Sequence, residues 1–318
     1  MSLAFVYPGQ GAQTLGMGRE LADEYDAARR VFEEVDEALG EKLTDVIWGE
    51  DEAALTLTAN AQPALMATSM AAMAALGAEG VDVRSASFVA GHSLGEYSAL
   101  CAAGSLSLAD TARLLRIRGE AMQQAVPVGE GAMAALLGVD LDTARRIAGE
   151  TAERQVLQAA NDNDPSQVVI SGAREAVERA VAVARDHGAK RAVMLPVSAP
   201  FHCALMEPAA RRMAEALDDV EIETPKVPVI VNVRAYGVTS RSDIRSYLVE
   251  QVTGMVRWRE SVMHMGEHGV REVWEIGAGK ALSGMVKRVN RELVTRTVGT
   301  PDEVRAAAAS LAEEDPSD

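Results

Sequence analysis

Short apolar runs alternate along the chain with longer segments of helical hydrophobic periodicity. The apolar runs predict strands at 3–9, 85–90, 227–233 and 271–277. The periodic segments predict helices at 19–39, 62–77, 107–125, 204–217, 241–250, 258–268 and 282–289. The helix at 62–77 has Pro63 in its first turn and is apolar nearly all round, which is typical of a helix buried in the core. The alternation predicts a mostly parallel sheet with helices on both faces.

Residues 126–198 have a different pattern. Their segments predict the order strand, helix, strand, strand, helix, strand, at 131–139, 141–152, 154–161, 165–172, 173–188 and 189–198. This βαββαβ order is that of a ferredoxin-like module. We therefore expect an α/β fold in which a large α/β-hydrolase-like domain with a parallel sheet, residues 1–125 and 199–310, contains an inserted ferredoxin-like small domain at 126–198. The acidic segment 311–318 is predicted to be a disordered tail.

A candidate nucleophile lies where the strand at 85–90 turns into an Ala- and Leu-rich helix. The turn reads Gly-His-Ser-Leu-Gly and places Ser93 between Gly91 and Gly95. This G-x-S-x-G pattern, between a strand and a helix, is typical of a nucleophile elbow that exposes the serine hydroxyl. The backbone amide of Leu94 then points at an oxyanion formed on an acyl group carried by Ser93. An ordinary strand-to-helix turn is the alternative, but the flanking elements favour the catalytic interpretation.

A nucleophilic serine needs a base, and the sequence contains five histidines. His187 ends a predicted surface helix, and His92 lies inside the elbow, where we expect a structural hydrogen bond. His264 and His268 are one helical turn apart without a third ligand nearby, so no metal site is predicted. His202 lies in a proline-containing loop that opens a helix, which is a rigid position for a general base. A structural loop histidine is the alternative interpretation of His202.

Composition and charge restrict the class of partner. The formal net charge of −16 argues against nucleic acid or an anionic membrane as the main partner, since both favour clustered Lys and Arg. No apolar run is long enough to span a membrane and no signal peptide is recognisable, so we expect a cytoplasmic protein. Cys101 and Cys203 are too few for a disulfide framework and lack the spacing of metal ligands. We expect neither a metal nor a bound cofactor.

Six motifs occur in one order along nearly the whole chain, from about residue 3 to residue 300. They are PGQGAQTLGMG, GHSLGEYSAL, RIRGEAM, SAPFHCALMEPAA, QVTGMVRW and EIGAGKALSGMVKR. In this order they resemble the malonyl-CoA:acyl carrier protein transacylases of fatty-acid synthesis and the related acyltransferase domains of polyketide synthases. The resemblance implies a ping-pong transfer of a malonyl group from malonyl-CoA to holo acyl carrier protein, by an enzyme expected to act as a monomer.

The resemblance also implies roles for individual residues. Ser93 takes the acyl group, and His202 is first its base and then the acid. The amide of Gln10 joins that of Leu94 in the oxyanion hole, and the backbone carbonyl of Gln251 orients His202 in place of a carboxylate. This agrees with the lack of a convincing acidic third member between Ser93 and His202 in the sequence.

Three further residues are implied to bind substrate. Arg118 matches the arginine that binds the free carboxylate of malonate, although a solvated helix face shared with Arg113 and Arg116 is the alternative. Phe201 directly precedes His202, as in the malonyl-selecting polyketide acyltransferases, whereas free-standing bacterial members often have serine there; the phenylalanine favours malonyl over methylmalonyl. Asn161 matches a position that lines the cleft between the domains, with a simple turn role as the alternative.

Two other functions share some of these features. A serine esterase or thioesterase would have the same elbow, but the absence of a triad acid and the presence of Arg118 argue against it. A polyketide acyltransferase that acts in trans would have the same chemistry on a different carrier protein.

Overall fold

The structure is a computed structural model that describes residues 2–197 and 199–314. Within these residues the strands form two separate sheets, one of six strands and one of four. In chain order the strands are β1 (Leu3–Tyr7), β2 (Ala86–Gly91), β3 (Gly131–Leu137), β4 (Leu157–Asp164), β5 (Gln167–Ala173), β6 (Arg191–Met194), β7 (Val229–Ile230), β8 (Gly237–Val238), β9 (Glu272–Ile276) and β10 (Val294–Val298).

Helices cover the sheets and supply most of the remaining ordered chain. In chain order the α-helices are α1 (Arg19–Glu24), α2 (Asp26–Leu39), α3 (Leu43–Ile47), α4 (Glu52–Thr56), α5 (Thr58–Ala78), α6 (Gly95–Ala102), α7 (Leu108–Gln124), α8 (Leu141–Thr151), α9 (Arg174–Val183), α10 (Glu207–Asp218), α11 (Arg241–Thr253), α12 (Trp258–Glu267), α13 (Ala281–Val289) and α14 (Pro301–Glu314). Among the described residues, none of these helices is both long and apolar enough to cross a membrane.

The larger sheet has the strand order β10-β9-β1-β2-β7-β8, and the predicted parallel sheet is confirmed for its first five strands. Among the described strands of this sheet, β8 alone is antiparallel, and it pairs with β7. The central strand β1 is buried along its whole length, as expected for a strand covered on both faces. Tyr7 of β1 pairs with Gly91 at the end of β2, so the loops that follow these two strands lie side by side at the carboxyl edge.

The smaller sheet contains the four strands of the region 131–194, in the order β4-β5-β3-β6, with antiparallel neighbours. With helices α8 and α9 it encloses a hydrophobic core of its own, which includes Leu136, Ile147 and Ile170. The predicted order of elements is therefore observed. Strand β4 also bonds to the chain before α12, because Val256 donates to the carbonyl of Ala160 and accepts from the amide of Asp162.

Two predicted helices have different bounds in the structure. The segment 19–39 forms two helices, α1 and α2, because Tyr25 between them is extended. The buried helix α5 begins at Thr58 rather than at residue 62, so Pro63 lies inside it. Proline cannot donate to the carbonyl of Ala59, but Nη1 of Arg116 does so at 2.7 Å, which satisfies the freed acceptor.

Other differences concern the carboxyl-terminal half. The predicted strand at 227–233 pairs only over β7, and the predicted helix at 204–217 opens with a 3₁₀ turn before α10. Strand β10 and helix α14 were not predicted. Because α14 runs to Glu314, residues 311–314 of the predicted disordered tail are helical, and residues 315–318 lie outside the described residues.

Candidate active site

The elbow that was predicted from the sequence is present between β2 and α6. Ser93 has a φ of +55°, a strained backbone conformation for a residue with a side chain. The side chain of Asn232, which follows β7, forms two hydrogen bonds with the backbone of this turn. Its Oδ1 accepts from the amide of Ser93 at 2.8 Å, and its Nδ2 donates to the carbonyl of Gly91 at 2.6 Å. These two hydrogen bonds hold the strained turn in place.

The second glycine of the elbow is required by close packing. A Cβ atom on Gly95 would lie 2.2 Å from the carbonyl oxygen of Tyr7, well inside van der Waals contact. We expect Gly95→Ala to lower the free energy of unfolding by about 3 kcal/mol, because the backbone at Gly95 and the backbone at Tyr7 cannot move apart without disturbing β1. Urea unfolding with Gly77→Ala as control tests this, because a Cβ on Gly77 meets nothing within 4 Å. Equal stability of the two variants would contradict the prediction.

His202 lies within hydrogen-bond distance of the serine, although 109 positions separate the two residues. Its Nε2 is 2.7 Å from Ser93 Oγ, and its Nδ1 is 2.9 Å from the carbonyl oxygen of Gln251 and 3.1 Å from that of Gly254. Carbonyl oxygens only accept, so Nδ1 must be the protonated nitrogen. Nε2 is then free to accept the proton of the Ser93 hydroxyl, which is the tautomer that a general base needs.

The protonation state of His202 follows from its surroundings. The side chain is almost fully buried, and burial together with the positive charge of Arg118 lowers its pKa to about 3. The imidazole is therefore neutral around pH 7, which leaves the Nε2 lone pair unprotonated. The predicted role of the Gln251 carbonyl is consistent with this geometry, and Gly254 adds a second acceptor that the sequence did not indicate.

Arg118 is buried beside the serine, which contradicts a solvated position. The side chain is 1% exposed. Its Nη2 donates to Ser93 Oγ at 3.1 Å and to Oε1 of Gln251 at 2.8 Å. Its Nη1 donates to Oε1 of Gln62 at 2.7 Å. Its Nε has no hydrogen-bond partner among the described residues. A buried guanidinium beside a nucleophile, with a donor to spare, is suited to hold a substrate carboxylate.

The other two arginines of α7 have different surroundings. Arg113 is half exposed and pairs with Asp110, and Arg116 bonds to Ala59 and Asn60 next to Pro63. Neither is placed at Ser93, so the alternative of one shared solvated face holds for Arg113 and fails for Arg118.

The two predicted oxyanion-hole amides lie on the neighbouring loops that follow β1 and β2. Neither Gln10 nor Leu94 donates its backbone N–H to another described residue. The side chain of Gln10 bonds to Oγ1 of Thr58 at 3.3 Å, which anchors its loop to the start of α5. Both amides are thus available to a developing negative charge.

A cleft of about 440 Å³ joins the predicted residues. It is lined by Gln10, Ser93, Leu94, Arg118, Asn161, Phe201 and His202. Phe201 and Asn161 are mostly buried there, and Asn161 lies in strand β4, so the turn role considered for it is wrong. Met122 and Met133 add flexible apolar surface to the cleft.

The remaining histidines form no hydrogen bond with Ser93 Oγ in the described part of the chain, although His92 lines the same cleft. Nε2 of His92 lies 2.9 Å from Oδ1 of Asn163 on β4, so its predicted structural hydrogen bond is present. His187 is near Glu150, while His264 and His268 stack on each other beside Phe88. Within 2–197 and 199–314, no three His, Cys, Asp or Glu side chains are grouped to hold a metal ion.

Three buried residues of the site were missed by sequence reasoning. Glu96 is 1% exposed, and its Oε2 accepts from the amide of Asn232 and from Nε2 of Gln251, both at 2.9 Å. Burial raises the pKa of Glu96 to about 7, and these hydrogen bonds and Arg118 oppose the shift. The other two missed residues are Asn232 and Gln62, which are also buried. Each is a polar residue within or at the end of an apolar segment, and that position was the available signal.

The chain is similar to known proteins over almost all of its length. A model of the acyl transferase domain family matches residues 4–309. A curated relative named malonyl CoA-acyl carrier protein transacylase, from Bacillus subtilis, is 48% identical over 313 residues, which is 98% of each chain. A relative of the same name from Escherichia coli is 43% identical over 304 residues, 96% of this chain and 98% of its own.

Solved structures are similar in both sequence and fold. An acyl-carrier-protein-S-malonyltransferase from Bartonella henselae is 55% identical with a TM-score of 0.96, and the match covers 98% of this chain and 100% of that one. A malonyl-transacylase in complex with its type II PKS acyl-carrier protein is 40% identical with a TM-score of 0.94, over 98% of this chain and 100% of the other.

Proposed function

This chain belongs to the acyl transferase family, and on that premise we propose that it transfers a malonyl group from malonyl-CoA to the phosphopantetheine thiol of acyl carrier protein. The observation that carries the proposal is the contact of Ser93 Oγ with both His202 Nε2, at 2.7 Å, and Arg118 Nη2, at 3.1 Å. A neutral base and a buried cation at one hydroxyl fit an acyl group that ends in a carboxylate.

The first half-reaction forms a malonyl ester on the enzyme. Nε2 of His202 takes the Ser93 proton as Oγ attacks the thioester carbonyl carbon. The negative charge on the carbonyl oxygen is stabilised by the amides of Gln10 and Leu94, and each such donor contributes a factor of about 10² in rate. When the C–S bond breaks, the proton on His202 passes to the sulfur and free coenzyme A leaves.

The second half-reaction returns the serine. The phosphopantetheine thiol gives its proton to His202 Nε2 and attacks the ester carbonyl, where the same two amides accept the charge. The bond from the carbonyl carbon to Ser93 Oγ breaks, and Oγ takes the proton back from His202. The carbonyls of Gln251 and Gly254 stabilise the imidazolium that exists between these transfers, in the place that a carboxylate occupies in other serine enzymes.

Arg118 decides the selectivity for the malonyl group in this proposal. We expect Arg118→Met to reduce the ratio of acylation by malonyl-CoA to acylation by acetyl-CoA about a hundredfold, because the bidentate charge-assisted contact to the carboxylate is lost. Rapid-quench acylation rates for both thioesters give the ratio. Arg113→Met, on the exposed face of the same helix, should keep the wild-type ratio. An unchanged ratio in Arg118→Met would show that another group binds the carboxylate.

Phe201 and Asn161 complete the proposed substrate site. Phe201 lies in the wall of the cleft beside His202, where its ring leaves less room for a branched acyl group and thereby favours malonyl over methylmalonyl. Asn161 lines the same cleft from β4, and its amide is available to the substrate.

For the domains, we assign residues 1–125 and 199–310 to an α/β-hydrolase-like catalytic domain and 126–198 to an inserted ferredoxin-like domain. The parallel strands around the elbow support the first assignment. The βαββαβ order, the antiparallel sheet β4-β5-β3-β6 and the separate hydrophobic core support the second. We further propose that the enzyme acts as a cytoplasmic monomer without bound cofactor, metal, membrane or nucleic acid.

A second pathway is favoured by one comparison. The relative that was solved with a type II PKS acyl-carrier protein is 40% identical to this chain, so a polyketide carrier is a second candidate acceptor for the same chemistry. Relative transfer rates to a fatty-acid carrier and a polyketide carrier distinguish the two pathways.

The intact mass of the protein after brief incubation with malonyl-CoA tests the proposed function. We expect a mass increase of one malonyl group, which disappears on adding holo acyl carrier protein as malonyl carrier appears. The apo carrier, which has no thiol arm, is the control and should leave the adduct in place. Release of free malonate without loading of the carrier would instead indicate a thioesterase or esterase, and absence of any adduct would contradict the proposal.

A further inference from the structure

The side chain of Gln251 bridges a buried carboxylate and a buried cation. Its Oε1 accepts from Nη2 of Arg118 at 2.8 Å, and its Nε2 donates to Oε2 of Glu96 at 2.9 Å and to the carbonyl of Ser93 at 3.0 Å. Gln251 is 0% exposed, so water does not replace these partners. The two ends of this amide therefore have different partners, a donor at Oε1 and acceptors at Nε2.

Glu96, the Ser93 carbonyl and Arg118 together determine which way the Gln251 amide points. An ionised carboxylate only accepts hydrogen bonds, so the Nε2 end must face Glu96 and the Oε1 end must face Arg118. The reversed amide would place oxygen against Glu96 and the carbonyl of Ser93, and nitrogen against the guanidinium. Buried donors and acceptors would then be left unpaired, which makes the reversed orientation unfavourable.

Glu96 is itself held in place and acts on Arg118 at a distance. The amide of Asn232 donates to its Oε2, from the residue that also braces the Ser93 turn. Among the described residues, Arg118 forms no salt bridge with a carboxylate. Burial lowers the pKa of its guanidinium, and the negative charge of Glu96 partly opposes that shift. A carboxylate in direct contact would occupy the guanidinium donors. With one amide in between, Glu96 compensates the buried charge and leaves donors free for a substrate.

We propose that Glu96 is a positioning residue for malonyl selectivity, which aligns the guanidinium of Arg118 through the side chain of Gln251 while it serves as an indirect counter-ion. The inference rests on the proposed function, in which Arg118 binds the malonyl carboxylate. It gives the side chain of Gln251 a role separate from that of its backbone carbonyl, which accepts from His202.

The test compares acylation rates of Ser93 by malonyl-CoA and by acetyl-CoA in wild type and Glu96→Gln. The assay is run at about pH 8.5, where Glu96 with a pKa of about 7 is ionised. The isosteric glutamine removes the negative charge that compensates Arg118 and replaces the carboxylate acceptor of the Gln251 amide by a weaker neutral one. We expect the malonyl-to-acetyl rate ratio to fall about tenfold, equivalent to about 1.4 kcal/mol. Glu275→Gln is the matched control and should keep the wild-type ratio, because Glu275 is equally buried but bonds to the amides of Leu282 and Ser283.

A double-mutant cycle tests whether the effect passes through Arg118. In an Arg118→Met background, Glu96→Gln should have no further effect on the ratio. A further tenfold fall in that background would overturn the proposal. Equal losses of both rates, with the ratio unchanged, would also overturn it, since a merely structural role predicts that result.

A second variant keeps the inference falsifiable if Glu96→Gln does not fold. Gln251→Leu removes the bridging amide and keeps the backbone carbonyl, and it should lower the ratio by a similar factor; an unchanged ratio would overturn the proposal. Failure of the inference is distinguishable from failure of the proposed function. In the first case wild type still forms the malonyl adduct and prefers malonyl-CoA, and in the second case wild type forms no such adduct.

Discussion

Ser93→Ala is expected to remove the malonyl adduct completely and to lower malonyl transfer to acyl carrier protein by about 10⁴-fold or more. The hydroxyl is the atom that forms the ester, and no other group can replace it at 2.7 Å from the base. The Gln10 and Leu94 amides and Arg118 remain in the variant, so binding of malonyl-CoA should persist. Intact mass after incubation with malonyl-CoA measures the adduct, and a coupled assay for released coenzyme A measures the rate.

Ser98→Ala is the matched control for this experiment. Ser98 lies on the same helix that follows the elbow, is fully buried, and has an Oγ without a hydrogen-bond partner in the described structure. This variant should carry the adduct as wild type does. An adduct of full occupancy on Ser93→Ala would show that another residue is the nucleophile and would refute the proposed mechanism.

His202→Ala is expected to lower the acylation rate by about 10⁴-fold, while Ser93 remains able to acylate slowly. Without Nε2 the Ser93 hydroxyl loses the acceptor for its proton, and a serine hydroxyl without a base is a weak nucleophile. Both half-reactions should be slowed, because the same imidazole takes the proton of the incoming thiol. Single-turnover acylation and deacylation, followed by rapid quench and mass spectrometry, measure the two steps separately.

His187→Ala provides the control for His202. His187 follows α9 in the region of the smaller sheet and lies near Glu150, so its loss should leave both rates within about twofold of wild type. Acylation by His202→Ala at a rate close to that of wild type would exclude His202 as the base. A normal acylation rate with only deacylation impaired would assign it to the second step alone.

Much of the fold could be predicted because it is encoded locally. The strands at the elbow and the six elements of 131–194 have clear apolar runs or helical periodicity, and their types were confirmed. The errors occurred where distant contacts decide the outcome. Helix α5 begins before Pro63, and Arg116 of α7, 57 positions away in the chain, satisfies the carbonyl of Ala59. Strand β10 adds to the edge of the sheet beside β9, and its pattern alone did not identify it.

In the active site, too, the sequence indicated which residues take part, and distant contacts decided their surroundings. The G-x-S-x-G pattern identified Ser93, and the family resemblance indicated His202, Gln251 and Arg118 as its partners. Whether Arg118 is solvated or buried was left open by the sequence, because the same helix also carries Arg113 and Arg116. Its burial results from the packing of α7 against α5, which places Gln62 at its Nη1.

The sequence by itself determined the elements around the elbow and in the region 131–194, the strained turn and the residue types of the proposed chemistry, because propensity and glycine positions act over a few neighbouring residues. The tertiary structure decided the tautomer of His202, its low pKa and the direction of the Gln251 amide. Each of these properties depends on acceptors or charges more than 40 positions away in the chain, such as the Gln251 carbonyl for His202 and Glu96 for Gln251. Only folding brings such groups within hydrogen-bond distance and removes the water that would otherwise compete with them.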